Sequence, residues 1–308
     1  MKDFEEIEKI INMIGLLNLP DELLLMIATF LGVVDIVNLS MVNKRFTKVM
    51  RLNPINRKDK TPIHTRQYGV CKVWPHLPFI MEYPHNDELY SVFVSGDYLY
   101  TGCYDDKARK IDINTGETLM EYPHGEPVNS VFASGDYLYT ACNDKKARKI
   151  DINTGETLME YPHEDGVNSI FVSGNYLYTG CRGCKARKID VNTGEMLMEY
   201  PHEYWVISVF VSGDFLYTGS SDDNKARKID INTGKTLMEY PHEGYVNSVF
   251  ASGDYLYTGC YKKARKIDIN TGKTLMEYLH KTGVYSVFVS GEYLYTGCAD
   301  GKASKIPL

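Results

Sequence analysis

Residues 95–122 read SGDYLYTGCYDDKARKIDINTGETLMEY, and the chain returns to this text repeatedly. The opening SGDYLYTG recurs with small changes at Ser95, Ser134, Ser173, Ser212, Ser252 and Ser290, in steps of 39, 39, 39, 40 and 38 residues. A period this regular marks a repeat architecture, in which each copy buries its apolar face only against its neighbours.

One copy holds four strand signals. Tyr90–Val94 alternates and runs into Ser95-Gly96-Asp97, a tight hairpin turn. Tyr98–Cys103 is rich in aromatic residues and Thr, which favour strands. Ala108–Ile113 forms the third strand, closed by Asn114-Thr115-Gly116, and Thr118–Tyr122 the fourth. Four short strands per period point to the blades of a β-propeller. Strands one to three occur six times, and the last copy ends at Leu308 without a fourth. Phe79–Tyr83 is a fourth strand with no complete copy before it. Pairing it with the strand near Lys302–Pro307 predicts a ring of six blades. Seven is the alternative, using Gly69–Trp74, with too few residues left for the other strands.

The first 50 residues lack the repeat. A charged helical lead (residues 1–14) precedes LNLPDELLLMIATFLGVVDIVNLSMVNKRFTKVM. Leu23, Ile27, Phe30, Leu31 and Val34 follow helical spacing, with Pro20, Asp21 and Glu22 suited to a helix start. Gly32 ends this helix, and Asp35 can cap a second carrying Ile36, Leu39, Val42 and Phe46. About 40 residues cannot close a core alone, so the segment should dock on another protein or on the neighbouring domain.

These residues resemble the F-box. The resemblance rests on Leu19-Pro20, Glu22-Leu23, Ile27, Leu31, Asp35-Ile36, Leu39, Val42 and Lys44-Arg45-Phe46, with Phe46 where the family usually has Trp. It implies docking on the Skp-type adaptor of a cullin ubiquitin ligase, through Leu19, Pro20, Leu23, Ile27, Leu31, Leu39, Val42 and Phe46. The repeat in turn resembles the WD repeat. His85, His124, His163, His202, His242 and His280 stand where that family has its histidine, and Ile111-Asp112 stands for its Trp-Asp pair. The resemblance puts the turn acid at Asp105, Asp144, Asp222 and Asp300, with Gly183 and Lys262 in the third and fifth copies. The organisation expected is α plus all-β: a helical extension (1–14), an F-box (15–50), a linker (51–78) and a WD-repeat-like propeller (79–308).

Composition narrows the function. The formal charge of −6 and the absence of a basic patch argue against nucleic acid as a partner. The longest charge-free apolar stretch, Leu23–Val34, is too short to span a bilayer, and no membrane partner is expected. The acidic start is unlike a secretory signal, so a cytoplasmic or nuclear location is expected. Five of seven cysteines hold one repeat position, occupied by Ser220 in the fourth copy, which marks a small packed strand site. Cys181 and Cys184 form a CxxC with no second pair to complete a zinc site. Thr233-Gly234-Lys235-Thr236 lies in a hairpin turn and lacks the upstream glycine of a phosphate loop. No nucleophile–base arrangement appears, so neither catalysis, metal nor cofactor is expected.

Differences between copies are informative. The SGD and NTGE/NTGK turns barely change, whereas the loops before strand one and between strands two and three do. In an antiparallel blade those two loops share one end, so recognition is expected on that rim. The candidate target contacts are Tyr104, Arg182, Tyr204, Trp205, Tyr245 and Tyr261, with Tyr90 and Tyr285 in strand-one positions expected to face the central channel. The residues equivalent to Tyr90 carry no arginine, which disfavours a phosphorylated target. The expected role is the substrate receptor of an SCF-type ligase, with an adaptor, a cullin and an unidentified target as partners. A non-ligase interaction scaffold is the alternative. Near-identical copies joined to an F-box-like module also resemble proteins of giant DNA viruses, which would put the target in host cytoplasm.

Overall fold

The structure is a computed structural model and describes Tyr83, His85 and residues 87–300 and 302–308. These form six antiparallel sheets, each a meander in chain order. In blade one the strands are Leu89–Ser95, Tyr98–Cys103, Lys107–Asp112 and Thr118–Pro123. Blades two to five repeat this, with first strands Val128–Ser134, Val167–Ser173, Val206–Ser212 and Ser248–Ser252. Blade six has Val284–Ser290, Tyr293–Cys298 and Ala303–Pro307 among the described residues. The protein is thus a six-bladed β-propeller preceded by the 1–82 region. The F-box residues lie outside the described residues, as does the pairing predicted for Phe79–Tyr83.

The third strand begins one residue earlier than its apolar pattern suggests and ends at Asp112. Ile113 falls in the turn, where its N–H donates to the Asp97 carbonyl (3.0 Å). Asp112 turns the chain there, its Oδ1 accepting from the N–H groups of Asn114 and Thr115 (both 2.8 Å). Those backbone bonds hold the carboxyl below the ordinary carboxylate range. Gly116 completes the turn at φ 74°.

Why the blades stack is written in a few positions. Tyr100, Ala108 and Tyr122 of blade one pack on Val128, Val131, Leu138 and Ile150 of blade two, and the equivalent residues repeat this at the next steps. Phe93, Phe132, Phe171, Phe210, Phe250 and Phe288 form a ladder with centroids 4.5–5.1 Å apart. Each such contact adds about 0.5–1.5 kcal/mol beyond its buried area. Polar groups cross the same boundary. Ser91 Oγ accepts from the Val131 N–H (3.1 Å), and Tyr122 donates its hydroxyl to the Ile152 carbonyl (2.8 Å). Gly219 is required by close approach, because a Cβ there would lie 2.5 Å from the Val246 carbonyl oxygen. Blade two accepts Ala141 at the matching position, so the gap varies between steps.

The ends of the series differ. His85 Nε2 meets Thr101 Oγ1 at 2.9 Å, the bond by which every histidine from His124 to His242 seats on the next blade. Yet Val92 and Val94 are 46% and 59% exposed, where Val131 and Ala133 are 4% and 5%. Phe288 is also exposed, and no ring stacks on its free side among the described residues. At the last step Tyr278 OH, His280 Nε2 and Thr296 Oγ1 are buried without hydrogen-bond partners.

The repeated KARK strand is structural. Lys107 and Arg109 both pair with Glu121 (2.6 and 3.0 Å). Lys110, awkward at an apolar-looking position, lays its ammonium over the Tyr98 ring at 4.1 Å. The same pairing recurs at Lys149, Lys188, Lys228, Lys266 and Lys305. The aliphatic stem packs while the charge rests on a ring face, which is how the position accepts Lys.

The turn before the third strand carries left-handed residues that are not glycine: Asp106, Lys145, Cys184, Asn224 and Lys262, at φ 55–68°. Such a conformation costs most side chains about 1 kcal/mol and Asn less. Lys145→Gly is therefore expected to raise stability by about 0.5–1 kcal/mol in urea unfolding, and Asn224→Gly to leave it unchanged. Equal effects from both would contradict backbone strain as the cause.

Candidate functional site

The two kinds of variable loop do share one rim. Tyr104 N–H donates to the Glu88 carbonyl (2.8 Å), Arg182 N–H to Gly166 (2.9 Å) and Ser221 N–H to Trp205 (3.0 Å), tying the loop before strand one to the loop after strand two. The uniform turns meet at the opposite end, through bonds such as Ile152 N–H to Asp136 (3.0 Å).

The rim is anchored by charge. Arg109 and Arg148 each form a two-nitrogen pair with the turn acid four residues earlier, Asp105 and Asp144. Burial raises the Asp144 carboxyl, but the Arg148 bonds prevail and hold it below the usual carboxylate range. In blade four the expected acid, Asp222, does not fill this role. The loop is one residue longer, so Asp223 stands four residues before Arg227 and takes the pair. Asp222 is exposed instead, and its carboxylate acts on the Tyr245 hydroxyl, raising it above its ordinary value. Blades three and five have no turn acid. There Glu164 and Glu243, from the other variable loop, reach across to Arg187 and Lys185, and to Arg265 and Lys263. The anchoring charge is kept although its source changes.

Each histidine from His124 to His242 is held at both ring nitrogens. His163 Nδ1–H donates to the Tyr161 carbonyl (2.9 Å), which leaves Nε2 to accept from Thr179 Oγ1 (2.8 Å). The turn acid takes no part; it belongs to the arginine. The cysteine position behaves as Ser220 foretold, with both residue types buried and bonded to loop carbonyls, as in Cys142 Sγ to Glu126 (3.0 Å) and Ser220 Oγ to Trp205 (3.1 Å). Burial pushes the Cys142 thiol up to about 12, which removes it as a nucleophile. Cys184 is a free thiol whose Sγ lies 3.7 Å from the Arg182 carbonyl.

Of the candidate contact residues, Tyr90, Tyr104, Tyr204, Trp205, Tyr245, Tyr261 and Tyr285 are all exposed. They do not form one cluster. Tyr90 and Tyr104 meet edge-on in blade one. Arg182 places its guanidinium over Trp205 (5.4 Å). Lys262 lies over Tyr261 (5.1 Å). The strand-one positions expected to line the channel do something further. Asn129, Asn168 and Asn247 donate Nδ2 to the carbonyls of Val167, Val206 and Val284 in the next blade (2.8–3.0 Å). Asn129 and Asn168 sit at a register shift in their first strands, as between Val128 and Ser130, and Asn247 lies immediately before its own first strand. These asparagines are clamps between blades, a role that spacing within one copy does not reveal.

Comparison with known proteins gives three family matches. An F-box domain model matches residues 16–58. Residues 85–202 match the family described as outer membrane protein assembly factor BamB, and residues 243–263 match an LVIVD repeat. Among solved structures the chain is similar to the computationally designed Ika8 protein, with a TM-score of 0.63 and 20% identity over 73% of this chain and 72% of that one. That likeness speaks for the fold alone. No curated protein matches the chain. The chain therefore joins an F-box match to a six-bladed propeller.

Proposed function

We propose that the chain is the substrate-recognition subunit of an SCF-type ubiquitin ligase. The F-box match at residues 16–58, directly ahead of a propeller, carries this reading. Leu19, Pro20, Leu23, Ile27, Leu31, Leu39, Val42 and Phe46 contact a Skp-type adaptor, and the adaptor joins a cullin. The variable rim of the propeller, read as WD-type, holds the target through Tyr90, Tyr104, Arg182, Tyr204, Trp205, Tyr245, Tyr261 and Tyr285. Exposed aromatic and arginine side chains on rigid loops suit such an interface. The chain acts by proximity, raising the concentration of target lysines near a ubiquitin-loaded enzyme, and performs no chemistry itself. Its place of action is the cytoplasm or nucleus.

Affinity capture from a eukaryotic lysate tests the reading. Wild type should retain a Skp-type adaptor and a cullin. Leu19→Ala with Pro20→Ala should lose both by more than about ten-fold, as removal of two buried anchors implies, with the propeller's unfolding transition unchanged. Capture of neither by wild type defeats the ligase reading and leaves a scaffold.

A further inference from the structure

Two rim positions meet in the first three blades: the residue after the buried start of strand one and the first residue after strand two. In blade two they are Asn129 and Asn143, hydrogen-bonded at 2.7 Å. In blade three they are Asn168 and Arg182, bonded at 3.2 Å. Both pairs satisfy themselves. Blade one puts tyrosine at both positions, and no other copy does. The rings of Tyr90 and Tyr104 stand at 84° with centroids 6.0 Å apart, and they are 40% and 49% exposed.

We infer that this corner of Tyr90 and Tyr104 receives an alkylammonium, the side chain of a lysine or N-methyl-lysine on the target protein. An exposed ring face in this edge-on pair presents the negative side of the ring quadrupole to a cation, which is the physical basis of ammonium recognition by aromatic side chains. The surroundings share the sign. Glu88 and Asp106 flank the rings in sequence, and among the described residues neither carboxylate forms an ion pair. The Tyr90 hydroxyl titrates above its ordinary value, first through burial and then through the charges of Glu88, Tyr104 and Asp87. Arg182, whose charge acts on Tyr90 in the opposite sense, is held by Asn168 through its Nε and lays its guanidinium over Trp205.

The corner is also held in shape before any ligand arrives. The Tyr104 N–H bond to the Glu88 carbonyl (2.8 Å) locks the two loops together. The Glu88 N–H donates to Asp87 Oδ1 (2.8 Å), and the His124 N–H to the Asp106 carbonyl (2.8 Å). A site that need not be ordered on binding loses less entropy. An ammonium that keeps a proton can bond a carboxylate and face a ring at once, so partly methylated lysine fits this corner best.

The inference rests on the variable rim being the target surface, and its test is independent of adaptor capture. Full-length protein is titrated calorimetrically with the blocked tripeptide Gly-Lys-Gly carrying zero to three Nε-methyl groups, and with its neutral norleucine counterpart. The lysine peptides should bind about five-fold or more tighter than norleucine. Tyr104→Leu should abolish the difference, Tyr104→Phe should keep most of it, and Glu88→Gln should weaken the protonated forms more than the trimethylated one. Equal binding of lysine and norleucine peptides overturns the inference, as does a folded Tyr104→Leu variant that binds like wild type. Should Tyr104→Leu not fold, the wild-type comparison decides alone. Loss of peptide binding in Tyr104→Leu with adaptor capture intact separates this corner from the receptor reading.

Discussion

Between pH 6.5 and pH 4 the propeller is expected to lose most of its stability, taking up about four protons as it unfolds. The cause is a quartet of histidines. His124, His163, His202 and His242 have their pKa pushed down to about 4, chiefly by burial, against the opposing pull of a backbone carbonyl on Nδ1. The unfolded chain returns them to about 6.5. In that window the unfolded state therefore binds more protons, so stability is complete above the unfolded value and falls as pH drops towards the folded one. Each shift is worth about 3 kcal/mol, and four together are comparable with the whole stability of a domain. The lowered carboxyls of Asp105 and Asp144 act in the same direction, but only through and below the carboxylate range. Urea unfolding at pH 7.5, 6 and 5 measures the slope directly. His163→Gln should lower that slope by about one proton per molecule. A stability unchanged between pH 7 and pH 5 would sink the argument.

Arg227→Met is expected to cost about 3–5 kcal/mol, the largest effect of a single side chain here. Asp223 is 5% exposed and Arg227 8%. Removing the guanidinium leaves a carboxylate without its partner in a place that water barely reaches, and burial of a lone charge is what makes the loss large. Asp223 also accepts from the Lys225 N–H (3.2 Å), a bond that asparagine can keep. The double variant Arg227→Met, Asp223→Asn should therefore recover most of the loss. Lys225→Met, which removes the half-exposed pair with Glu239, should cost less than about 1 kcal/mol. Equilibrium unfolding of the three proteins reads all of these. A loss under about 1 kcal/mol for Arg227→Met would place the pair with ordinary surface ion pairs.

These two cases show where the one-dimensional text stops. The resemblance puts the turn acid of blade four at Asp222, but the inserted residue in the SDDN loop leaves Asp223 four before Arg227, and Asp223 takes the pair. Counting from the turn selects Asp222; counting back from the arginine selects Asp223. The replacement of absent turn acids by Glu164 and Glu243 was equally hidden, since the substitutes are 23 and 22 residues before Arg187 and Arg265 and sit on the other loop. The Tyr90 and Tyr104 pair was legible as two candidate residues but not as one corner. Only the antiparallel register, with Leu89 opposite Cys103, sets them side by side.

The sequence by itself determined the number of blades, the four strands in each, the turns and the rim on which diversity collects. Those features repeat within about 39 residues and follow from local alternation, turn chemistry and period. The tertiary structure decided how Lys110 rests on Tyr98, why the asparagines of strand one clamp the next blade, which acid serves each arginine and where two tyrosines form a corner. The clamps join residues 37–38 positions apart, and the others join strands or loops of one sheet folded back on itself. Such contacts depend on the rotation between sheets and on strand register, which periodicity implies in kind but does not specify atom by atom.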